Sequence, residues 1–535
     1  MHSNELERSV LRMVWGAKVI ESVPPIPVIA LNRMGFGPRP GDFEAFAALG
    51  DDDLTRLNNY IEQQLHPGSI NDSDLESRIT AEEYPTKDKT RQELWQEHHR
   101  SDVGEERRRP YQDVKRLKFL RALYSKRQLY ELLTEFWHDH FNVDAGSNVI
   151  RSMIMYYDRD VIRPYVLSNF RMLLEAVATS TCMLDYLDNY VNKKTGPNEN
   201  WARELLELHT LGQDHYYGSI PQEDVPGFPD APEGYVEADV FAVTRCFTGW
   251  SFNYKESEGD TGEFLYRANW HDNGSKLVLG QTLPADQDIN DPMKDGQDVL
   301  DLVASHPGTA KHISYKLCRR LIGDEPPESL VSSAADIFLA NVSEPDQIAQ
   351  VVRHILQSEA FRTTWNEKFK RPFEVIASAM RGVDADVEFV YDGSWTNKFF
   401  WHFNNIGQPP FYWEPPDGYP DVGAYWRSSN SFVMRWRHLI WLVDDKAAAT
   451  PADLTADVVN QTPADRRSPN ALADYWIERL FGYEIPGAER QIVVDFMAQG
   501  ADPDVDLPLD SDESLQSRLR NMVALILSSE LFQQR

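Results

Sequence analysis

The chain has 535 residues, of which 41% are hydrophobic and 11% aromatic, enough to bury a sizeable core. Its net charge of -30 argues against a nucleic-acid or anionic-membrane partner, because phosphate binding needs a basic surface. No apolar run reaches 18 residues, so no membrane span is predicted, and three isolated cysteines argue against a disulfide framework or a zinc-type spacing.

Helical periodicity predicts a mainly α fold, a large multi-helix globular body with long ordered loops. Residues 66–110 are very polar and are predicted to be a loose segment with short helices. Strand-like alternation is limited to short pieces near 262–280. The helices are predicted, in chain order, at 5–21, 39–65, 117–143, 164–189, 196–212, 236–250, 294–305, 309–322, 328–341, 345–360, 429–447, 469–481, 486–498 and 513–530.

Two segments are predicted to be loops. Residues 213–234 are rich in glycine, proline, tyrosine and acids, which indicates an exposed acidic insertion. Residues 384–428 hold many prolines, glycines and aromatics, and these aromatics either line a cleft that stacks on sugars or pin a long loop to the body. The predicted organisation is an N-terminal helical extension at 1–28, a helical body at 29–450 and a C-terminal helical unit at 451–535.

A duplicated helical unit is also predicted. The stretch YKLCRRLIG at 315–323 is followed by ILQSEAF at 355–361. Later, YWIERLFG at 475–482 is followed by ILSSELF at 526–532. The shared pattern is a helix ending at glycine, an amphipathic pair and a Ser-Glu-x-Phe ending, and chance matching of common helix residues is its alternative.

Two of the predicted helices each turn one histidine towards the core. At 100° per residue, His140 falls among the apolar residues of its helix, whereas His138 falls on the opposite side. In the second helix His209 lies in the apolar stripe, Arg203 lies on a polar ladder with two glutamates, and Glu204 lies at the border. A buried imidazole needs a hydrogen-bond partner, so both histidines are expected to have polar neighbours.

Three interpretations of these histidines stay open. They are either satisfied core residues or members of a polar pocket with Asn200, Arg203 or Glu204, in which an imidazole beside a carboxylate forms an acid–base pair. A metal site built from His140, His209 and a carboxylate is the third, although no HExxH motif is present and no metal ligand is assigned. No nucleophile elbow, dinucleotide fingerprint or Walker A stretch occurs.

The stretch HDNGSK at 271–276 is a second candidate cluster. Its small residues predict a turn. His271 and Asp272 either reach into a cleft or lie on a solvated turn. The candidate catalytic residues are therefore His140, Asn200, Arg203, Glu204, His209, His271 and Asp272.

Several motifs resemble the bacterial family called domain of unknown function 1800. They are FWHDHFNV at 136–143, DRDVIRP at 158–164, YLDN at 186–189, FTGW at 247–250, the 271–276 turn, HPGTA at 306–310 and PPDGYP at 415–420. The most specific is NENWARELLELHTLG at 198–212. The resemblance runs from about residue 29 to the C-terminus, and the chain departs from it in the insertion after Gly212.

The resemblance implies a helical fold but no activity, catalytic residue or cofactor. It also implies an exported protein encoded beside a sulfatase-like partner, whereas the charged N-terminus lacks a signal peptide and by itself predicts a cytoplasmic location. We weigh three functions: a hydrolase or lyase acting on a polymer such as a glycan through the His/Glu/Arg cluster, a non-catalytic binding or assembly protein, and a metalloprotein using His140 and His209. The ligand is an unknown small molecule or polymer.

Overall fold

The computed structural model describes residues 23–444 and 457–535, and these are mainly helical. The helix predicted at 5–21 lies outside the described residues. The α-helices, numbered in chain order, are α1 Ile26–Arg33, α2 Asp42–Ala47, α3 Asp53–Leu65, α4 Ser73–Ala81, α5 Arg91–Glu93, α6 Gly104–Tyr124, α7 Gln128–His140, α8 Asn148–Tyr156, α9 Phe170–Ala178, α10 Thr181–Tyr186, α11 Asn200–Glu204, α12 Glu237–Cys246, α13 Gln287–Asn290, α14 Lys294–Ala304, α15 Pro307–Leu321, α16 Glu328–Ala340, α17 Gln347–Gln357, α18 Glu359–Thr363, α19 Pro372–Gly382, α20 Ser394–Asn404, α21 Gly423–Trp426, α22 Ser429–Val443, α23 Val458–Gln461, α24 Pro469–Phe481, α25 Gly487–Ala498, α26 Glu513–Ser528 and α27 Glu530–Gln533.

Strands are few and short. β1 (Trp250–Phe252) pairs antiparallel with β2 (Phe264–Tyr266), and β3 (Lys276–Val278) pairs antiparallel with β4 (Gln281–Leu283). Three helices continue into a π-helical turn, at Leu94–His99, Tyr157–Ile162 and Leu205–His209. Within the described ranges, no helix is both long and apolar enough to cross a membrane.

One hydrophobic core connects the body to the C-terminal helices. Buried apolar residues from α1 to α27 belong to a single cluster, with α6 packed against α7, α8 and α19. The two copies predicted from the repeat correspond to α15–α18 and α24–α27. In each copy the first three helices pack against one another. The last helix of each copy starts at a serine, Ser358 or Ser529, whose hydroxyl accepts an N–H of the first turn.

Three predicted segments differ from the structure. The helix predicted at 164–189 is divided, because the side chains of Asn169 and Ser180 cap the starts of α9 and α10. The segment 117–143, predicted to be one long or two abutting helices, is two helices, but the first starts at Gly104, inside the segment 66–110 predicted to be loose. Residues 384–428 are not loop throughout, since α20 buries three phenylalanines in the core.

A buried ion network joins the site helix α7 to the end of the chain. Arg371 donates to Glu135 of α7 at 2.7 Å and also pairs with Asp139. Glu374, one helical turn after Arg371, pairs with Arg535 at 2.8 Å and with Arg320 at 3.1 Å. All of these side chains except Asp139 are buried, so the network fixes α7 against α15 and α19.

Candidate functional site

Helix α7 is buried on both sides, and not only on the side predicted to face the core. His138, predicted to point away from that side, is buried and lies with Nε2 2.9 Å from Oδ1 of Asp158. Asp158 in turn pairs with Arg163 at 2.8 Å. Beside His138, a cavity of about 20 Å³ is lined by Lys118 and Asp139, which is room for a single water.

The hydrogen bonds of His140 define its tautomer. Its Nε2 lies 3.1 Å from the carbonyl oxygen of His209, and a carbonyl only accepts, so Nε2 carries the hydrogen. The other nitrogen, Nδ1, accepts a hydrogen bond of 2.8 Å from Nζ of Lys316. Burial and the charge of Lys316 lower the pKa of His140 well below its ordinary value. His140 is therefore a neutral acceptor for the lysine.

His209 lies next to His140, but its ring makes no hydrogen bond within the described residues. It ends the π-helical turn Leu205–His209, is 0% exposed, and its ring centre lies 6.0 Å from that of His140. Phe141 and Trp201 are its aromatic neighbours. Neither ring nitrogen has a partner within the described residues, and burial lowers the pKa of His209 to about 3. The expected hydrogen-bond partners are therefore present for the ring of His140 and absent, among the described residues, for the ring of His209.

Replacing His140 and replacing His209 are expected to affect the stability of the protein differently. His140→Leu leaves the Lys316 ammonium without its acceptor, and we expect the free energy of unfolding to fall by roughly 1–3 kcal/mol. His209→Leu removes two unpaired polar atoms, so we expect an unchanged or higher free energy of unfolding. Urea unfolding of both variants measures this difference. Equal destabilisation by the two substitutions would contradict the hydrogen-bond assignment.

Two residues of α15, His312 and Lys316, complete the group and were missed by the sequence analysis. They are spaced i, i+4 and so share one face of the helix. His312 Nε2 lies 3.2 Å from the carbonyl oxygen of Leu208, and its ring centre is 6.3 Å from that of His140. Their i, i+4 spacing after the HPGTA motif was the available signal.

Lys316 connects the buried histidines to a set of surface carboxylates. Burial lowers the pKa of Lys316 to about 8, and the nearby charges of Asp139, Asp421 and Asp417 act in the opposite direction. The pKa of this amine therefore lies close to neutral pH. The side chain is only partly buried.

Asp417 and Asp421 belong to a loop that is pinned across the end of α7. Asn142 donates to the carbonyl oxygens of Trp413 and Pro415, each at 2.8 Å. Gly418 has φ +74°, and a Cβ built there would lie 2.0 Å from the carbonyl oxygen of Asp139, so only glycine fits. Trp413 donates its indole N–H to Oδ1 of Asp417 at 2.8 Å. The loop holds this carboxylate in place at the surface.

Glu204 is the second carboxyl at this surface. Burial and the charges of Glu207 and Asp417 raise the pKa of Glu204 to about 7, against the opposing charge of Arg203. Asp417 therefore acts electrostatically on both Glu204 and Lys316. A carboxyl that is half protonated at neutral pH, beside a carboxylate, is suited to donate a proton.

The other predicted residues of this helix point elsewhere. Arg203 pairs with Glu199 at 3.0 Å, as the predicted ladder has it, but its second partner is Glu237 of α12 at 2.7 Å and not Glu207. Asn200 is exposed. Within the described residues, no hydrogen bond joins Arg203 or Asn200 to His140 or His209. The predicted pocket is thus divided into buried imidazoles and a surface carboxyl.

The HDNGSK segment is not a solvated turn. His271 is fully buried, whereas Asp272 is partly exposed and pairs with Arg245 at 2.8 Å, which lowers the pKa of Asp272 to about 2. Nε2 of His271 instead lies 3.4 Å from Asp288 and 3.2 Å from Asp295, and both carboxylates are buried. Their ligand atoms and the His271 nitrogen all lie within 4.8 Å of one another. Among the described residues this is where a metal ion could be held, and not at His140 and His209.

A larger cleft, with a volume of about 660 Å³, lies away from both groups. Tyr124 stands in it between two guanidinium groups, with Arg39 at 4.8 Å and Arg78 at 3.9 Å from the ring centre. Arg39 is paired with Asp384. The cleft therefore offers stacking and paired charge, but no imidazole lines it.

Fold and site together define a mainly helical protein in which Lys316 bonds to a buried neutral imidazole and lies within electrostatic range of Asp417. The chain belongs to the family described as "Protein of unknown function (DUF1800)", whose family model matches residues 29–534. Comparisons with curated proteins and with solved structures found no match.

Proposed function

We propose that the chain is a hydrolase that cleaves a neutral glycan, with Glu204 as general acid and Asp417 as its partner carboxylate. The observation that carries the proposal is the carboxyl of Glu204, whose pKa is raised to about 7 by burial and by the charges of Glu207 and of Asp417, the latter on an anchored loop. Glycoside hydrolysis uses such a pair, one protonated to release the leaving group and one ionised to act as base or nucleophile.

Lys316 and His140 support this pair and do not replace it. Lys316 and Asp417 lie within electrostatic range of each other, because the charge of Asp417 acts to raise the pKa of Lys316. His140 fixes the ammonium by accepting its hydrogen bond. The buried histidines are therefore positioning residues that act through Lys316.

The surroundings favour a neutral polymer over an acidic one. Asp139 and Asp421 are neutralised by Arg371 and Lys368, whereas Glu204 and Asp417 form no salt bridge among the described residues. A polyuronide would meet repulsion from these two groups, which argues against a lyase acting on acidic glycans. Trp413 and Tyr425 have ring centres 6.0 Å apart and offer partly exposed aromatic faces for sugar stacking.

A panel of neutral and uronic-acid polysaccharides, assayed for new reducing ends, tests the proposal. We expect release from a neutral glycan by the wild type, a loss of about 10²-fold or more for Asp417→Asn, and little change for Glu199→Gln. Glu199 is a control from the same segment of the chain, and its salt-bridge partner among the described residues is Arg203. No release from any neutral glycan, or cleavage confined to uronic-acid polymers, would contradict the proposal.

A non-catalytic binding protein is the second candidate, favoured by the 660 Å³ cleft around Tyr124. Its ligand would stack on the guanidinium groups of Arg39 and Arg78 or form ion pairs with them. Under this candidate, Glu204→Gln leaves the binding of a ligand or of a sulfatase-like partner unchanged, whereas Tyr124→Ala weakens it.

A further inference from the structure

We propose that His271, Asp288 and Asp295 bind one divalent transition-metal ion, at a site separate from Glu204. The three side chains come from different parts of the fold: His271 follows the second strand of one hairpin, Asp288 lies on α13, and Asp295 lies on α14. They are 0%, 5% and 1% exposed, respectively. A bound ion would tie the hairpin region to both helices.

The ring of His271 is oriented so that Nε2 faces the two carboxylates. Nδ1 lies 2.8 Å from the carbonyl oxygen of Thr248, and a carbonyl only accepts, so Nδ1 carries a hydrogen. Nε2 lies 3.2 Å from Oδ2 of Asp295 and 3.4 Å from Oδ2 of Asp288. With the lone pair of Nε2 free, the imidazole and these two oxygens offer three ligand atoms that converge on one point.

Each ligand is held by a partner outside the cluster. Thr248 orients His271, as a carbonyl does for most metal-binding histidines. Asp288 accepts two hydrogen bonds: its Oδ2 from the Tyr266 hydroxyl at 2.8 Å, and its Oδ1 from the backbone N–H of Asp295 at 2.7 Å. Gln287 donates to Oδ1 of Asp295, which leaves Oδ2 facing the centre.

Lys276 is the competing cation. Its ammonium is buried, contacts Asp295 and the carbonyl oxygen of Asp272, and lies 3.5 Å from Nε2 of His271. The ammonium binds Oδ2 of Asp295, the oxygen that faces the centre, so an ion can bind there only if Lys276 moves aside. One imidazole and two carboxylates match a borderline ion such as Zn²⁺, Co²⁺ or Mn²⁺, and two negative charges balance a divalent ion.

Titration of the full-length, untagged protein with Co²⁺, followed by visible absorption and competition with Zn²⁺, tests the proposal. We expect one ion per chain for the wild type, at least about 100-fold weaker binding for Asp295→Asn, and tighter binding for Lys276→Met. The melting temperature should rise with metal and fall with chelator. Co²⁺ binding by Lys276→Met but not by the wild type would overturn the proposal, because the ammonium of Lys276 would then be the cation that occupies the site.

A milder variant guards against misfolding of Asp295→Asn. Tyr266→Phe keeps all three ligands and removes only the hydroxyl that orients Asp288. We expect its Co²⁺ affinity to fall by about 10-fold with an unchanged circular dichroism spectrum. An unchanged affinity in Tyr266→Phe, or no Co²⁺ uptake by the wild type, would overturn the site.

Discussion

Glu204→Gln is expected to lower kcat for glycan hydrolysis by about 10²- to 10⁴-fold. Glutamine has nearly the shape of protonated glutamic acid but cannot donate a proton to the leaving oxygen. Because Glu204 acts in its acid form and has a pKa of about 7, wild-type activity should fall as the pH rises through about 7. The measurement is kcat from pH 5 to pH 9 on the neutral glycan identified in the panel.

An activated substrate separates the acid role from a general defect of the variant. The dinitrophenolate of a dinitrophenyl glycoside leaves without being protonated. Glu204→Gln should therefore lose little activity on this substrate, whereas Asp417→Asn should lose activity on both substrates. Equal losses by Glu204→Gln on the two substrates would mean that Glu204 is structural. A pH profile without the alkaline fall would lead to the same conclusion.

Glu374→Gln is expected to lower the free energy of unfolding by about 3–5 kcal/mol. The glutamate is buried against Arg320, Arg535 and Arg371, so the substitution leaves three guanidinium groups with less compensating charge. Denaturant unfolding measures the loss. Glu44→Gln, on an exposed part of α2, is the control and should change the free energy by no more than about 0.5 kcal/mol.

The same glutamate predicts a dependence of stability on pH. Burial acts to raise the pKa of Glu374, but Arg320, Arg535 and Arg371 outweigh it and lower this pKa to about 2. The stabilisation is therefore complete above the ordinary value of 4.5 and is lost as the pH falls from there towards 2. Glu374→Gln should show a flatter dependence over this range. Parallel curves for the two proteins would contradict the assignment.

Regular helices were predictable because their apolar spacing and end signals agree. Helix α24 begins with Pro469 at its first position and ends before Gly482, and the prediction for 469–481 matches it. Several helices were missed, among them α1, α8, α19 and α20. Helix α20 lies in a segment whose prolines, glycines and aromatics indicated a loop, and α19 is buried all round, so it has no solvated face.

The candidate site was predictable only in part. His140 and His209 were correctly expected to face inward, and their proximity was one of the interpretations left open. The helical wheel could not show that His209 ends a π-helical turn or that Lys316, distant in sequence, supplies the partner of His140. His271 was singled out as part of a turn, but its carboxylate neighbours Asp288 and Asp295 follow from tertiary packing alone.

Carboxyl ¹³C NMR of the full chain, labelled at glutamate and compared with Glu204→Gln for assignment, measures the protonation of Glu204 directly. We predict a midpoint near pH 7 that moves lower in Asp417→Asn, because the neighbouring negative charge is removed. A midpoint near 4.5 in both proteins would contradict the carboxyl pair and the hydrolase proposed from it.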